Sequence, residues 1–295
     1  MPRSSVIVPL AFGVAFLSTL FPFAGETPRL AHSAAALRSA CPSDMVRVRD
    51  FCIDRFEIAT VDDRTGEPLS PYYPPHPRLV ETVFRTWTLE RTLVGPPPTR
   101  AIPLPLLPDI QREQTDFRPR AVSRPGVVPQ GYLSQWLARK ACENAGKRLC
   151  TEKEWVTACR GQQERKFPYG DRYEAGRCNV YRAQHPALVL HNAAWYGHLD
   201  PRLNLVVEAN GDPLLRATGA TPSCASVWGN DAIYDMVGNL DEWIDDPRGV
   251  FVGGFFARGT REGCEARIAV HGPTYFDYST GTRCCRSIEA SARSK

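Results

Sequence analysis

The chain has 295 residues, ten cysteines and a formal net charge of +4, a length that holds one large core or two smaller ones. Its densest basic stretch, Arg118, Arg120 and Arg124, has only Phe117 beside it rather than interleaved aromatics, which together with the mild charge excludes a nucleic-acid interface. Phosphate-cradling glycine loops, the G-x-S-x-G elbow and the H-E-x-x-H pair are absent, and the common nucleotide-binding and hydrolase classes go with them.

Residues 1–24 read as a signal peptide, because Arg3 precedes an uncharged apolar run from Val6 to Leu20. The run is about long enough to span a bilayer, yet Pro9, Gly13, Pro22 and the short basic flank point to cleavage near Ala24 or Ser33 rather than to an anchor. Arg38, Ser39 and Ala40 make a poor lipobox before Cys41, so lipid attachment is rejected. The expectation is an exported protein, periplasmic or extracellular, without membrane attachment after cleavage, with residues 25–40 as a linker. In such a compartment the ten cysteines are expected as disulfides.

From Met45 to Ile58 apolar and polar residues alternate in the manner of a strand. Fourteen of the chain's 26 prolines then fall between Asp62 and Pro129, and since proline fixes φ and removes a donor, an extended surface loop without long helices or central strands is expected there. Order resumes at Tyr132. Leu133, Trp136, Leu137 and Ala141 recur at helical spacing between a Ser134 N-cap and Gly146, and a second helix opens on the capping box Thr151–Glu154 and ends at Gly161. Residues 178–224 show no sustained period. Their His185, His191 and His198 match no known zinc spacing and are expected as exposed loop residues. The remainder reads as short strands, among them Phe251 to Phe256 and a last one entering Arg283, Cys284 and Cys285.

Five blocks, in this order, carry a resemblance: MVRVRDFCIDRFEIAT, ACENAGKRLCTEKEWVTACRG, FPYGD followed by CN, IYDMVGNLDEW, and finally VGGF, CEAR and GTRC. Together they resemble the formylglycine-generating-enzyme (sulfatase-modifying-factor) family. The resemblance implies an α+β fold of the C-type-lectin-like kind, a loop-rich, disulfide-bonded single domain over residues 41–288, with a Pro-rich insertion at 62–129 and a tail at 289–295. It also implies that Cys142 pairs with Cys284 and Cys159 with Cys264, leaving Cys41 with Cys52 as a local loop. Cys150, Cys178, Cys224 and Cys285 remain, for which three connectivities are open; Cys150–Cys285 with Cys178–Cys224 is preferred.

Enzymes of that family oxidise a substrate cysteine with dioxygen at a copper(I) ion held by two thiolates between the Gly-Gly strand and the C-x-A-R element, a soft ligand pair suited to that ion. Here the interval from Gly254 to Cys264 contains FFARGTREG, with no cysteine, and Asp241 stands where the family has a tryptophan. The family's copper site is therefore absent. By the same resemblance Asp235, Glu242 and the carbonyls of Gly238 and Leu240 match one calcium loop, and Asn179 and Val180 part of another, an oxygen-rich set suited to a hard cation; turn-capping by Asp235, Glu242 and Asn239 is the alternative. The altered interval offers Glu262, Glu265, His271 and Tyr275 for acid–base chemistry, or the first three as iron ligands, against a plain Glu265–Arg267 ion pair. Three readings follow. The first is a noncatalytic module binding a protein, peptide or glycan; the second, a divergent metal-dependent oxidoreductase using dioxygen on a peptide or small molecule. Formylglycine generation itself survives only if Phe255 to Gly263 are misaligned.

Overall fold

The computed structural model describes residues 41–90 and 95–288, so the expected signal peptide, linker and tail lie outside the described residues. The alternation after residue 45 forms a hairpin rather than one long strand. Arg49, in the left-handed region at φ 51°, turns β1 (Met45–Val48) back on β2 (Phe51–Asp54), and β3 (Ile58–Asp62) leaves for a second sheet.

β12 (Cys284–Ser287) lies antiparallel between β2 and β5 (Arg148–Leu149), completing a four-stranded sheet in the order β1-β2-β12-β5. Successive residues of a strand face opposite sides of the sheet. Cys285 accordingly joins the core of Val46, Ile53, Trp155 and Met236, while Cys284 joins that of Ile58, Leu137, Ala141 and Trp243. This is why two adjacent cysteines reach different partners. Five disulfides link Cys41–Cys52, Cys142–Cys284, Cys150–Cys285, Cys159–Cys264 and Cys178–Cys224.

The two helices that the cysteines clamp begin on side-chain caps. In α4 (Gln135–Asn144) the Ser134 hydroxyl accepts from Leu137 N, and in α5 (Glu152–Arg160) Thr151 and Glu154 cap each other's backbone N–H groups. A second four-stranded sheet runs β10 (Arg267–Ile268), β9 (Phe251–Val252), β8 (Asp241–Trp243), β11 (Thr280–Gly281), with β8 and β11 parallel. β9 is shorter than expected because Gly253 and Gly254 adopt φ of 88° and 81° and leave the sheet. A further hairpin pairs β6 (Ala225–Trp228) with β7 (Asp231–Tyr234).

The expectation for residues 62–129 is overturned. A 14-residue helix, α1 (Pro77–Glu90), stands in this stretch, followed by the short α2 (Pro97–Arg100) and α3 (Asp109–Glu113) and by β4 (Pro119–Ser123), which pairs with β3. The prolines are numerous but not evenly spread. None falls between Pro77 and Pro96, and Pro77 itself occupies the first helical turn, where a missing N–H costs nothing. Leu69, Tyr73, Val80, Val83, Ile110 and Phe117 give the insertion a small core of its own. The histidine expectation also needs correction: α6 (Pro186–His191) begins at His185, whose ring accepts from Ala187 N, and ends on a buried His191 that lies 3.1 Å from Asp200.

Candidate functional site

β8 and the segment that enters β11 bring two acidic positions of different character, Asp241 and Asp277, close together. Asp241, at the start of β8, is fully buried; its Oδ1 receives Arg258 Nη2 at 2.5 Å. Burial pushes its carboxyl up to about 7, with Arg258 pulling the other way and Asp277 adding to the rise. Among the described residues neither its Oδ2 nor the buried Thr260 hydroxyl makes a hydrogen bond of normal geometry, and a Cβ at Gly254 would come within 2.1 Å of that hydroxyl. Glycine is thus required where the chain re-enters the altered interval. A carboxyl poised near neutrality has the chemistry of a proton donor, but Asp241 is 0% exposed, and no substrate atom reaches it in this conformation.

Asp277 sits beside it. Its Oδ1 accepts from the N–H and hydroxyl of Ser279, its Oδ2 accepts from the Tyr275 hydroxyl at 2.5 Å, and His198 Nδ1 lies 3.9 Å away. Tyr275 in turn stacks on His271, with ring centroids 3.9 Å apart. These two expected residues are therefore together, but the other two are not with them. Glu262 is exposed, and Glu265 is held by Arg160, not by Arg267, which instead lies 3.4 Å from Glu152. Among the described residues no group of three or more His, Cys, Asp or Glu side chains is placed to hold a metal, so Glu262, Glu265 and His271 do not form an iron-ligating set. All ten cysteines are in disulfides, and the interval Phe255 to Gly263 supplies no thiolate; these residues do not fit a copper(I) ion.

The oxygen-rich loop lies on the other side of β8. Arg283, 0% exposed, donates from Nε and Nη2 to both oxygens of Glu242 at 2.8–2.9 Å, and Trp155 Nε1 adds a third donor at 2.7 Å. Asp235, at φ 58°, accepts Gly219 N at 2.7 Å. Sequence reasoning missed the third carboxylate, Glu57, which accepts from Leu240 N and Asn239 Nδ2 at 3.0 and 2.5 Å. Its only signal was an acid inside the apolar run that opens the domain.

Three buried carboxylates thus face one buried guanidinium. Burial raises Glu57 well above the usual carboxylate range, with Asp235 and Glu242 adding to the rise, and burial pushes Asp235 up to about 6. Asn179 packs against the same loop: its backbone carbonyl accepts Asn239 N at 3.0 Å and would lie 2.3 Å from a Cβ at Gly238, while its side-chain Oδ1 is buried without a partner among the described residues. Val180 follows it, its N–H bonded to Cys178 O. Without a cation, protons rather than a full negative charge balance Glu57, and Glu242 is committed to Arg283 and Trp155, so these three side chains alone form no metal-holding group among the described residues.

A model of the sulfatase-modifying factor enzyme 1-like domain matches residues 24–295. Formylglycine-generating enzyme of Bos taurus is 34% identical over 106 residues, 36% of this chain and 23% of that protein. The Bos taurus protein named inactive C-alpha-formylglycine-generating enzyme 2 is 28% identical over 116 residues, 39% of this chain and 32% of its own. The match thus covers less than a third of either curated relative. Among solved structures, PvdO from Pseudomonas aeruginosa aligns at a TM-score of 0.38 with 14% identity, covering 84% of this chain and 89% of that one. With a match over nearly its whole length, the chain belongs to the family of sulfatase-modifying factor enzyme 1-like domains.

Proposed function

We propose that this domain is an exported, noncatalytic binding module on a formylglycine-generating-enzyme scaffold, taking a protein, peptide or glycan, with calcium as a structural ion. The observation that carries the reading is the state of the cysteines: every one is bonded, and none lies between Gly254 and Cys264. A copper(I) site built from a thiolate pair has no ligands to draw on. The Asp241–Arg258 pair ties the altered interval to β8 instead. The name of the inactive relative from Bos taurus supports the same direction. Five disulfides favour an oxidising compartment, periplasmic or extracellular. For calcium the supporting observation is the crowding of Glu57, Asp235 and Glu242, which raises the proton affinity of Glu57 and which a cation would relieve; Asp235, Glu57 and the carbonyls of Gly238 and Leu240 would hold the ion.

The test is metal analysis of the purified, chelator-treated and reconstituted protein, with oxygen uptake followed in the presence of a cysteine-containing peptide. The expected result is calcium alone and no oxygen consumption. Stoichiometric copper or iron accompanied by oxygen uptake overturns the reading in favour of an oxidoreductase.

A further inference from the structure

The insertion builds a cleft over part of its own small core, lined by none of the residues of the candidate functional site. It has a volume of about 790 Å³ and is walled by Tyr73, Val80 and Phe84 on one side and by Leu104, Leu106 and Leu107 on the other. Small-molecule sites span roughly 300–1,000 Å³ and are mostly apolar with a few polar groups, and this cleft has that composition. Leu106 is 91% exposed although it belongs to the wall, and Phe84, Leu104 and Leu107 beside it are half-buried, so the apolar lining is partly open to solvent.

Three polar side chains decide what could enter. Arg78 lies on the lining of the cleft, and its guanidinium makes no hydrogen bond or ion pair among the described residues, whereas the neighbouring Arg112 is satisfied by Asp109 and Glu113. Gln111, 5% exposed, also lines the cleft; its Oε1 accepts Ser70 N at 2.5 Å, and its Nε2 is buried without a hydrogen-bond partner among the described residues. An unmet buried donor is costly to the folded state and is relieved by any acceptor that reaches it. Glu81, three residues beyond Arg78 on α1, lines the same rim and also lacks an ion pair there. Two donors beside one acid favour a ligand with a single anionic group over a polyanion.

We propose that this cleft binds an apolar monocarboxylic acid, with its hydrocarbon body against Phe84, Leu104, Leu106 and Leu107 and its carboxylate received by Arg78, the buried Gln111 amide turning toward it as the acid enters. The assignment goes beyond the binding-module reading, adding a small-molecule ligand to it, and rests on that reading only for the absence of turnover.

The test is calorimetric titration of the full chain with decanoate below its micellar concentration, with decanol and decylammonium as comparisons. Saturable one-to-one binding of decanoate is expected, with decylammonium at least tenfold weaker. Arg78→Ala should weaken decanoate at least tenfold and leave decanol within about twofold. Leu106→Glu, at an exposed position where folding is not at stake, should weaken both. Thermal unfolding of each variant checks that it is folded. Absence of saturable binding overturns the proposal, as does binding unchanged by both substitutions. The two readings fail separately: copper or iron with oxygen uptake removes the noncatalytic reading, while a calcium-loaded protein that takes up no oxygen and is indifferent to decanoate removes only this one.

Discussion

Asp241 shows how a single replacement changes the chemistry of a position. Where relatives of the resembled family place a tryptophan, a fully buried carboxyl now holds Arg258. Burial raises its affinity for a proton from an ordinary 3.8 to about 7, with Asp277 adding to the rise and Arg258 opposing it. Between those values the folded chain keeps the proton and the unfolded chain does not, so stability falls as pH rises, by roughly 1.4 kcal/mol per pH unit for one such group. Asp241→Asn should therefore gain on the wild type between pH 5 and pH 8 in urea unfolding; a difference independent of pH would refute the argument. The same sign holds for Glu57 and for Asp235, raised to about 6, chiefly by burial. If calcium balances their charge, 1 mM-scale calcium added to chelated protein should raise the melting temperature at pH 8 and much less at pH 5, where protons already do so. Equal effects at both pH values would count against the cation.

Helices and strands respond to different residues. Thr151→Ala removes one half of the capping box of α5 and should cost about 1 kcal/mol in denaturant unfolding. In α1, Val83 is fully buried in the insertion's own core. Val83→Asp should open residues 62–129 to limited proteolysis while the disulfide-bonded remainder stays resistant; cleavage spread evenly over the chain would mean that the insertion is not a separate layer. These elements differ in how plainly the sequence announces them. Ser134, Thr151, Glu154 and the glycines after each helix act through local bonds, and local bonds are visible in short motifs. α1 is not announced in that way: a proline count over 62–129 hides the proline-free gap in which the helix lies. Nor is Glu57, whose partners Asn239 and Leu240 are some 180 residues away in the chain. His191 is likewise buried by Asp200 and by long-range packing that no period in residues 178–224 signals.

At the scale of the whole molecule, the disulfides replace much of what a larger regular core would supply. Three of them span more than 100 residues, and each closed loop of that size contributes roughly 2–5 kcal/mol by limiting the unfolded chain. Thiol counting under denaturing, non-reducing conditions should find none free; two or more per chain would contradict the five bridges. The placement of Cys284 and Cys285 also dictates an order of assembly. Cys142 and Cys150 leave the ribosome near each other, and their partners follow 142 and 135 residues later. Until then the oxidations open to them, with each other or with earlier thiols, are all bonds the finished fold does not contain. Native pairing accordingly requires either that Cys142 and Cys150 stay reduced until Cys284 and Cys285 arrive or that thiol–disulfide exchange replaces any earlier bond.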